Sequence, residues 1–88
     1  MNQVKLVGDL IDLEVIDTEE GKKAKAKVLI ERVDKTTFEV DVIGAGKVAE
    51  QMQLRLKRSS YVGIKGKLEK FKGKLVIELE SIVFINQR

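Results

Sequence analysis

The sequence predicts a mainly β fold, a five-stranded Greek-key barrel with one short helix between strands 3 and 4, in a single domain spanning residues 1–88. Three observations carry this. Apolar and polar residues alternate with period 2 over most of the chain. The alternation breaks once, where apolar residues recur at i, i+4 and i+8. At 88 residues the chain makes one domain, near the lower limit for burying a core unaided.

Strand 1 is expected over residues 3–16, with Val4, Leu6, Leu10, Leu13 and Val15 as its apolar set and Gly8 as the site of a bend or bulge. "TEEGKK" at 18–23 is a turn in which Gly21 is free to take positive φ. Residues 24–33 place Ala24, Ala26, Val28 and Ile30 on a core face and Lys25, Lys27, Leu29 and Glu31 on a wet one. After the turn "VDKTT", strand 3 over 37–43 sets Phe38, Val40 and Val42 inward and Thr37, Glu39, Asp41 and Ile43 outward. Val48, Met52 and Leu56, with Ala49 beside them, predict an amphipathic helix from Gly46 to Lys57. Arg55, Lys57 and Arg58 suit the negative end of its dipole, a structural role that keeps them outside the candidate site.

The hairpin of strands 4 and 5 directs Val62, Ile64, Gly66 and Leu68 inward and Tyr61, Lys65, Lys67 and Glu69 outward. Its turn is "KFKG" at 70–73, with Phe71 near the tip, and Leu75, Ile77 and Leu79 begin the last strand. Ile82 to Ile85 are apolar on both faces, which implies a second packing partner in the chain or on a neighbouring subunit. Strand, strand, strand, helix, strand, strand is the element order of the OB-type barrel, and an open mixed α+β sheet is the competing arrangement.

The net charge of +3 is unevenly placed. Residues 1–20 hold one lysine against six acids, whereas 22–35 hold six bases against two acids and 61–74 five lysines against one acid. Two basic islands on an otherwise neutral or acidic chain point to a polyanion-binding face, and a merely solvated lysine surface is the plain alternative. With no histidine and no cysteine, the usual zinc sites, a histidine base and thiol or serine–histidine nucleophiles are excluded. No clustered pair of carboxylates or lysines replaces them, so no enzyme, metal or other cofactor is expected. The chain has neither an apolar run of membrane-spanning length nor a secretory signal pattern, so a cytoplasmic protein without membrane attachment is expected.

"NQVKLVGDL" at 2–10, "FEVDVIG" at 38–44, "KVAEQM" at 47–52 and "LKRSSYVGIKGKL" at 56–68 resemble, in order and near-family spacing, the bacterial single-stranded DNA-binding protein family. The resemblance covers nearly the whole chain. It implies an OB fold, a homodimer or homotetramer built through the first strand and neighbouring sheet surfaces, and sequence-independent binding of single-stranded DNA in replication, repair or recombination. Replication proteins are possible further partners.

Such binding needs cations that track phosphates and flat side chains on which bases stack. The candidate cations are Lys25, Lys27, Arg32 and Lys35 on the second strand and its loop, and Lys65, Lys67, Lys70, Lys72 and Lys74 on the last hairpin; Phe71 and Tyr61 are the candidate stacking residues. Phe84 is expected in the core, and Phe38 shares the core parity of Val40 and Val42, with base stacking as its other reading.

Family members usually carry more aromatics, often tryptophan, at the end of strand 2, on the outer face of strand 3 and in the last hairpin. This chain has no tryptophan, and Glu39 and Asp41 stand where phosphate would pass. At roughly 1–3 kcal/mol per stacked base, the missing platforms imply weaker, more salt-dependent binding. The chain also stops at "INQR", without the acidic tail of many relatives, which points to a short member akin to the primosomal replication protein. The alternative reading is an OB-fold adaptor or dimerisation module with weak or no nucleic-acid binding. An RNA-binding barrel of the cold-shock kind is a third, against which stands the lack of aromatic clusters; preference between DNA and RNA stays open.

Overall fold

The computed structural model describes residues 2–55 and 60–85, with Arg55 as backbone only. The elements are β1 (Val4–Thr18), β2 (Gly21–Glu31), β3 (Thr37–Ala45), α1 (Gly46–Arg55), β4 (Tyr61–Phe71) and β5 (Lys74–Phe84). The strands close into a barrel in the order β1-β2-β3-β5-β4, with β1 bonded to both β2 and β4. All pairings are antiparallel except β3 with β5, where Val42 faces Ile77 and Ile43 faces Glu78. Closure removes the open mixed sheet as an alternative.

Alternation does the work in β2, where Ala24, Ala26 and Val28 are buried and the intervening lysines are not. With Leu10, Val42, Val62 and Ile77 they fill the barrel, and Met52 and Ala49 from α1 seal its base. The helix lies so close to β3 that a Cβ on Gly44 would stand 2.9 Å from both Met52 Sδ and Val48 Cγ1. The expected last turn of the helix and the bases Lys57 and Arg58 lie outside the described residues.

Several local expectations are corrected. The irregularity of β1 falls between Ile11 and Glu14, with Asp12 at φ 55, because aspartate tolerates the left-handed region. Gly8 serves close approach instead: a Cβ there would run into the carbonyl oxygen of Leu29 where β1 passes from β4 to β2. β2 begins at Gly21, since Glu19 and Glu20 alone make the turn; Gly21 takes φ 116, and Thr18 Oγ1 accepts from Glu20 N (3.2 Å) and donates to Gly21 O (2.7 Å). In the β4–β5 hairpin, Phe71 pairs with Lys74, so the turn is Lys72–Gly73 alone. Both have positive φ (52 and 83), the type I′ geometry that matches strand twist.

The hairpin also overhangs the barrel. Leu68, expected inward, is exposed because little of the barrel lies beneath it, and so is its neighbour across the hairpin, Leu75. Asn2 clips the overhang at its base, donating from Nδ2 to Leu68 O (2.9 Å) and accepting from Leu68 N at Oδ1 (3.0 Å). Within this chain the last strand is buried on one face only: Ile82 is interior and Phe84 packs on the core as expected, while Val83 is 63% exposed, so the chain itself supplies no second packing partner there. Conversely Ile43, expected outward and wet, is buried without joining the interior cluster, and so is Val76. Both lie on the outer surface, Val76 in a cleft under the folded-over hairpin.

Candidate nucleic-acid interface

The outward residues of β2 and β3 form a face whose rows follow from register: Lys23 beside Ala45, Lys25 beside Ile43, Lys27 beside Asp41 and Leu29 beside Glu39. The tip of the β4–β5 hairpin leans over the first of these rows. Lys23 Nζ stands 5.8 Å from the centroid of Phe71 and Lys72 Nζ 5.5 Å, so two ammonium groups lie against the ring. Lys25, Asp41, Phe71, Lys72, Lys74 and Val76 line a cleft of about 220 Å³. Phe71 also closes a wider one of about 710 Å³ against Asp17, Glu19, Glu20 and Lys23 of the β1–β2 turn.

Not all lysines here are available to a ligand. Lys27 reaches Glu39 Oε1 (3.5 Å) and Asp41 Oδ1 (3.9 Å), so two carboxylates hold the cation in the middle of the face. Lys23 pairs with Glu20 at 3.3 Å. Lys25, Lys67, Lys70 and Lys74 make no ion pair among the described residues, and Lys72 contacts only the Phe71 ring. Free cations thus lie on and beside the hairpin, while Lys5, Lys65, Arg32, Lys35 and Lys47, likewise without an ion pair among the described residues, lie elsewhere.

The sequence-derived candidates thus divide. Lys25, Phe71, Lys72 and Lys74 come together, and Lys67 lines an adjoining cleft with Lys23 and Glu78, whereas Lys70 pairs with Leu75 on the other side of the hairpin. Lys65 lies elsewhere, on the outer face of β1, β4 and β5, directly opposite Lys5 and in a shallow groove with Val7 and Val83. Tyr61 stands at the opposite end of β4 from Phe71, ten residues or about 33 Å along the strand. Arg32 and Lys35 belong to the β2–β3 loop at the far end of the face.

One residue, Lys23, escaped the sequence reading. Lys23 belongs to the same alternating set as Lys25 and Lys27, which was the available signal. Phe38 has the inward parity expected of it, beside Ile30, yet it is 37% exposed and outside the core, because it lies past the barrel's end. The Arg32 guanidinium covers its ring at 4.4 Å from the centroid. The loop behind them is built by Asp34, whose Oδ1 accepts from Thr36 N (3.0 Å) and Thr36 Oγ1 (2.6 Å). Those bonds, from the hydroxyl first, hold the Asp34 carboxyl below its ordinary pKa. Among the described residues no group of acids could hold a metal ion, and no helix is long and apolar enough to cross a membrane.

No protein-family model and no curated protein sequence matches the chain. Solved structures do. The N-terminal domain of PriB protein from Thermoanaerobacter tencongensis, solved as a dimer, superposes with TM-score 0.83 at 21% identity, covering 98% of both chains. A small single-stranded DNA binding protein from Mycoplasma pneumoniae gives 0.76 at 18%, covering 100% of this chain and 98% of that one. The second single-stranded DNA binding protein of Mycobacterium smegmatis gives 0.78 at 15%, covering 94% and 87%. The barrel described above is accordingly an OB fold, of the form seen in PriB and in bacterial single-stranded DNA binding proteins.

Proposed function

We propose that this protein binds single-stranded DNA without sequence preference, acts without catalysis in replication, repair or recombination in the cytoplasm, and does so as a homodimer or homotetramer. The observation that carries the reading is the hairpin tip, where a half-buried ring beside two lysines adjoins Lys25, Lys67 and Lys74, none of them in an ion pair among the described residues. A ring offers a stacking platform to any base, and unpaired ammonium groups beside it neutralise successive phosphates. The names of the structural neighbours, PriB and single-stranded DNA binding proteins, support the same reading. Alanine at Lys67, Lys70, Phe71 and Lys72 together is expected to abolish binding of oligothymidine while the circular dichroism and melting curve stay those of a folded barrel. Retained affinity in that variant refutes the site.

Self-association has its own support. On β1 the outward residues Lys5, Val7 and Asp9 run base, apolar, acid, and Val7 and Val83 are exposed beside them. An antiparallel apposition about Val7 sets Lys5 of each copy against Asp9 of the other and buries the valines, so the face is self-complementary. Sedimentation of Val7→Lys is expected to show a monomer.

The second reading, an adaptor barrel, draws on the carboxylates: Glu39 and Asp41 hold Lys27, and Asp17, Glu19 and Glu20 border the Phe71 cleft. Co-purification of a protein partner by a chain that binds no oligonucleotide favours it.

A further inference from the structure

The hairpin that carries Phe71 leaves the barrel at a single row. The β1–β4 ladder runs from Asp9 and Tyr61 to Val4 and Gly66, and the same register two residues further on sets Asn2 opposite Leu68. Asn2 lies before the strand, and its side chain takes the place of the backbone there. Nδ2 donates to Leu68 O (2.9 Å) and Oδ1 accepts from Leu68 N (3.0 Å), so one planar amide completes a rung that only this orientation of its two ends satisfies. On the other edge β3 departs at the same level. Its parallel pairing with β5 stops at Val42 and Ile77, and Ile77 is the partner of Leu68 across the hairpin.

Beyond that row the hairpin has no lateral strand among the described residues: Glu69 and Val76, Lys70 and Leu75, and Phe71 and Lys74 pair only with each other. Packing does not fix its angle either, since Leu68 and Leu75 on the inner side are exposed. At the tip the ring meets the barrel through Lys23, a flexible stem also drawn to Glu20 at 3.3 Å, which follows the ring more than it fixes it. Phe71 stands three residues past Leu68, about 10 Å out. A rotation of roughly 20° about the row therefore moves the ring by about 3.5 Å, a whole atomic contact distance.

We propose that Asn2 is a positioning residue for the nucleic-acid site: its amide fixes the root of the hairpin, so that Phe71, Lys72 and Lys74 are posed over the β2–β3 face before a strand arrives. Asn2 itself touches no nucleic acid. The inference rests on the nucleic-acid-binding reading above. A hairpin without the clip occupies the posed orientation for only a fraction of the time, and apparent affinity falls by that fraction. The number of phosphate contacts in the complex stays the same.

The test combines an anisotropy titration of labelled oligothymidine with hydrogen exchange of the free protein, for wild type, Asn2→Ala and Asn2→Asp. Asn2→Ala removes both bonds; Asn2→Asp keeps the shape but sets a carboxylate oxygen against Leu68 O. Asn2→Ala is expected to weaken binding about three- to tenfold with an unchanged salt slope. Both variants are expected to speed exchange over residues 67–76 while β2 and β3 exchange as in wild type. Combined with Phe71→Ala, Asn2→Ala should weaken binding by less than the product of the two separate effects, because it acts through the ring. Wild-type affinity or wild-type exchange in Asn2→Ala overturns the proposal. Effects that multiply, or faster exchange across β2 and β3 as well, make Asn2 a general stabiliser and also overturn it. A wild type that binds no oligothymidine overturns the role together with the function it rests on, and exchange of the free hairpin, read without ligand, tells that failure from failure of the clip.

Discussion

Exchanging Glu39 and Asp41 together for glutamine and asparagine should make the protein bind single-stranded DNA more tightly. Both carboxylates face outward on β3 within ion-pair reach of Lys27, at 3.5 and 3.9 Å. The trio carries one net negative charge on the path between the hairpin and the β2–β3 loop, and the double variant turns it into one net positive charge. A phosphate about 6 Å away feels each carboxylate by about 0.7 kcal/mol in water. Screening over a Debye length of ~10 Å at 0.1 M salt reduces this to about 0.4 kcal/mol each. Removing both is thus worth about 0.8 kcal/mol, or about fourfold in affinity. Lys27, once released, adds one phosphate contact, which steepens the dependence of log K on log salt by about 0.7. Stability should move by less than about 1 kcal/mol, since exposed ion pairs contribute little. The assay is an anisotropy titration against labelled oligothymidine over a salt series, with the melting temperature as control. Equal or weaker binding with an unchanged slope refutes the reasoning, because the strand then does not cross this face.

Two further outcomes concern the frame that holds the site. Gly66→Ala would drive a Cβ into the carbonyl oxygen of Glu78 and within 2.9 Å of Ile77 Cγ2, where β4 and β5 shift register; overpacking of that kind costs about 1–3 kcal/mol or more. Thermal denaturation should show the midpoint falling by about 10 °C, and an unchanged midpoint contradicts so close a crossing. Lys35 holds φ 75 at the end of the β2–β3 turn, a conformation that costs a non-glycine residue about 1–2 kcal/mol, so Lys35→Gly should raise the melting temperature by a few degrees even though it deletes a charge. A lower melting temperature would mean that the lysine side chain stabilises the loop by some other means.

What the sequence made legible followed from periodicity. Ala24, Ala26, Val28 and Ile30 could be assigned to the interior because one face of β2 meets the core and the other meets water. Val48, Ala49 and Met52 announced the helix because their spacing fits no strand. Parity names a face, however, and not a depth. Phe38, Leu68 and Leu75 have inward parity but stand beyond the barrel's ends, where little covers them. Ile43 has outward parity but is buried on the outer surface, away from the interior cluster. The cancelling of Lys27 was half visible: Glu39 and Asp41 were expected on the wet face, but their meeting with Lys27 depends on the register set by the loop at 32–36. The approach of Lys23 to Phe71 joins two turns remote in sequence, and no local pattern encodes it.

The most direct measurement is the binding of wild-type protein to labelled oligothymidine at two salt concentrations, against a duplex of matched length. Lys25, Lys67, Lys72 and Lys74 offer about four phosphate contacts, so the slope of log K on log salt should be about −2.8 and affinity should fall about fiftyfold between about 50 and about 200 mM salt. Preference for the single strand with that slope is the predicted result. No binding at low salt would contradict the account and leave the barrel as a protein-binding module, and equal binding to duplex would contradict its preference for the single strand.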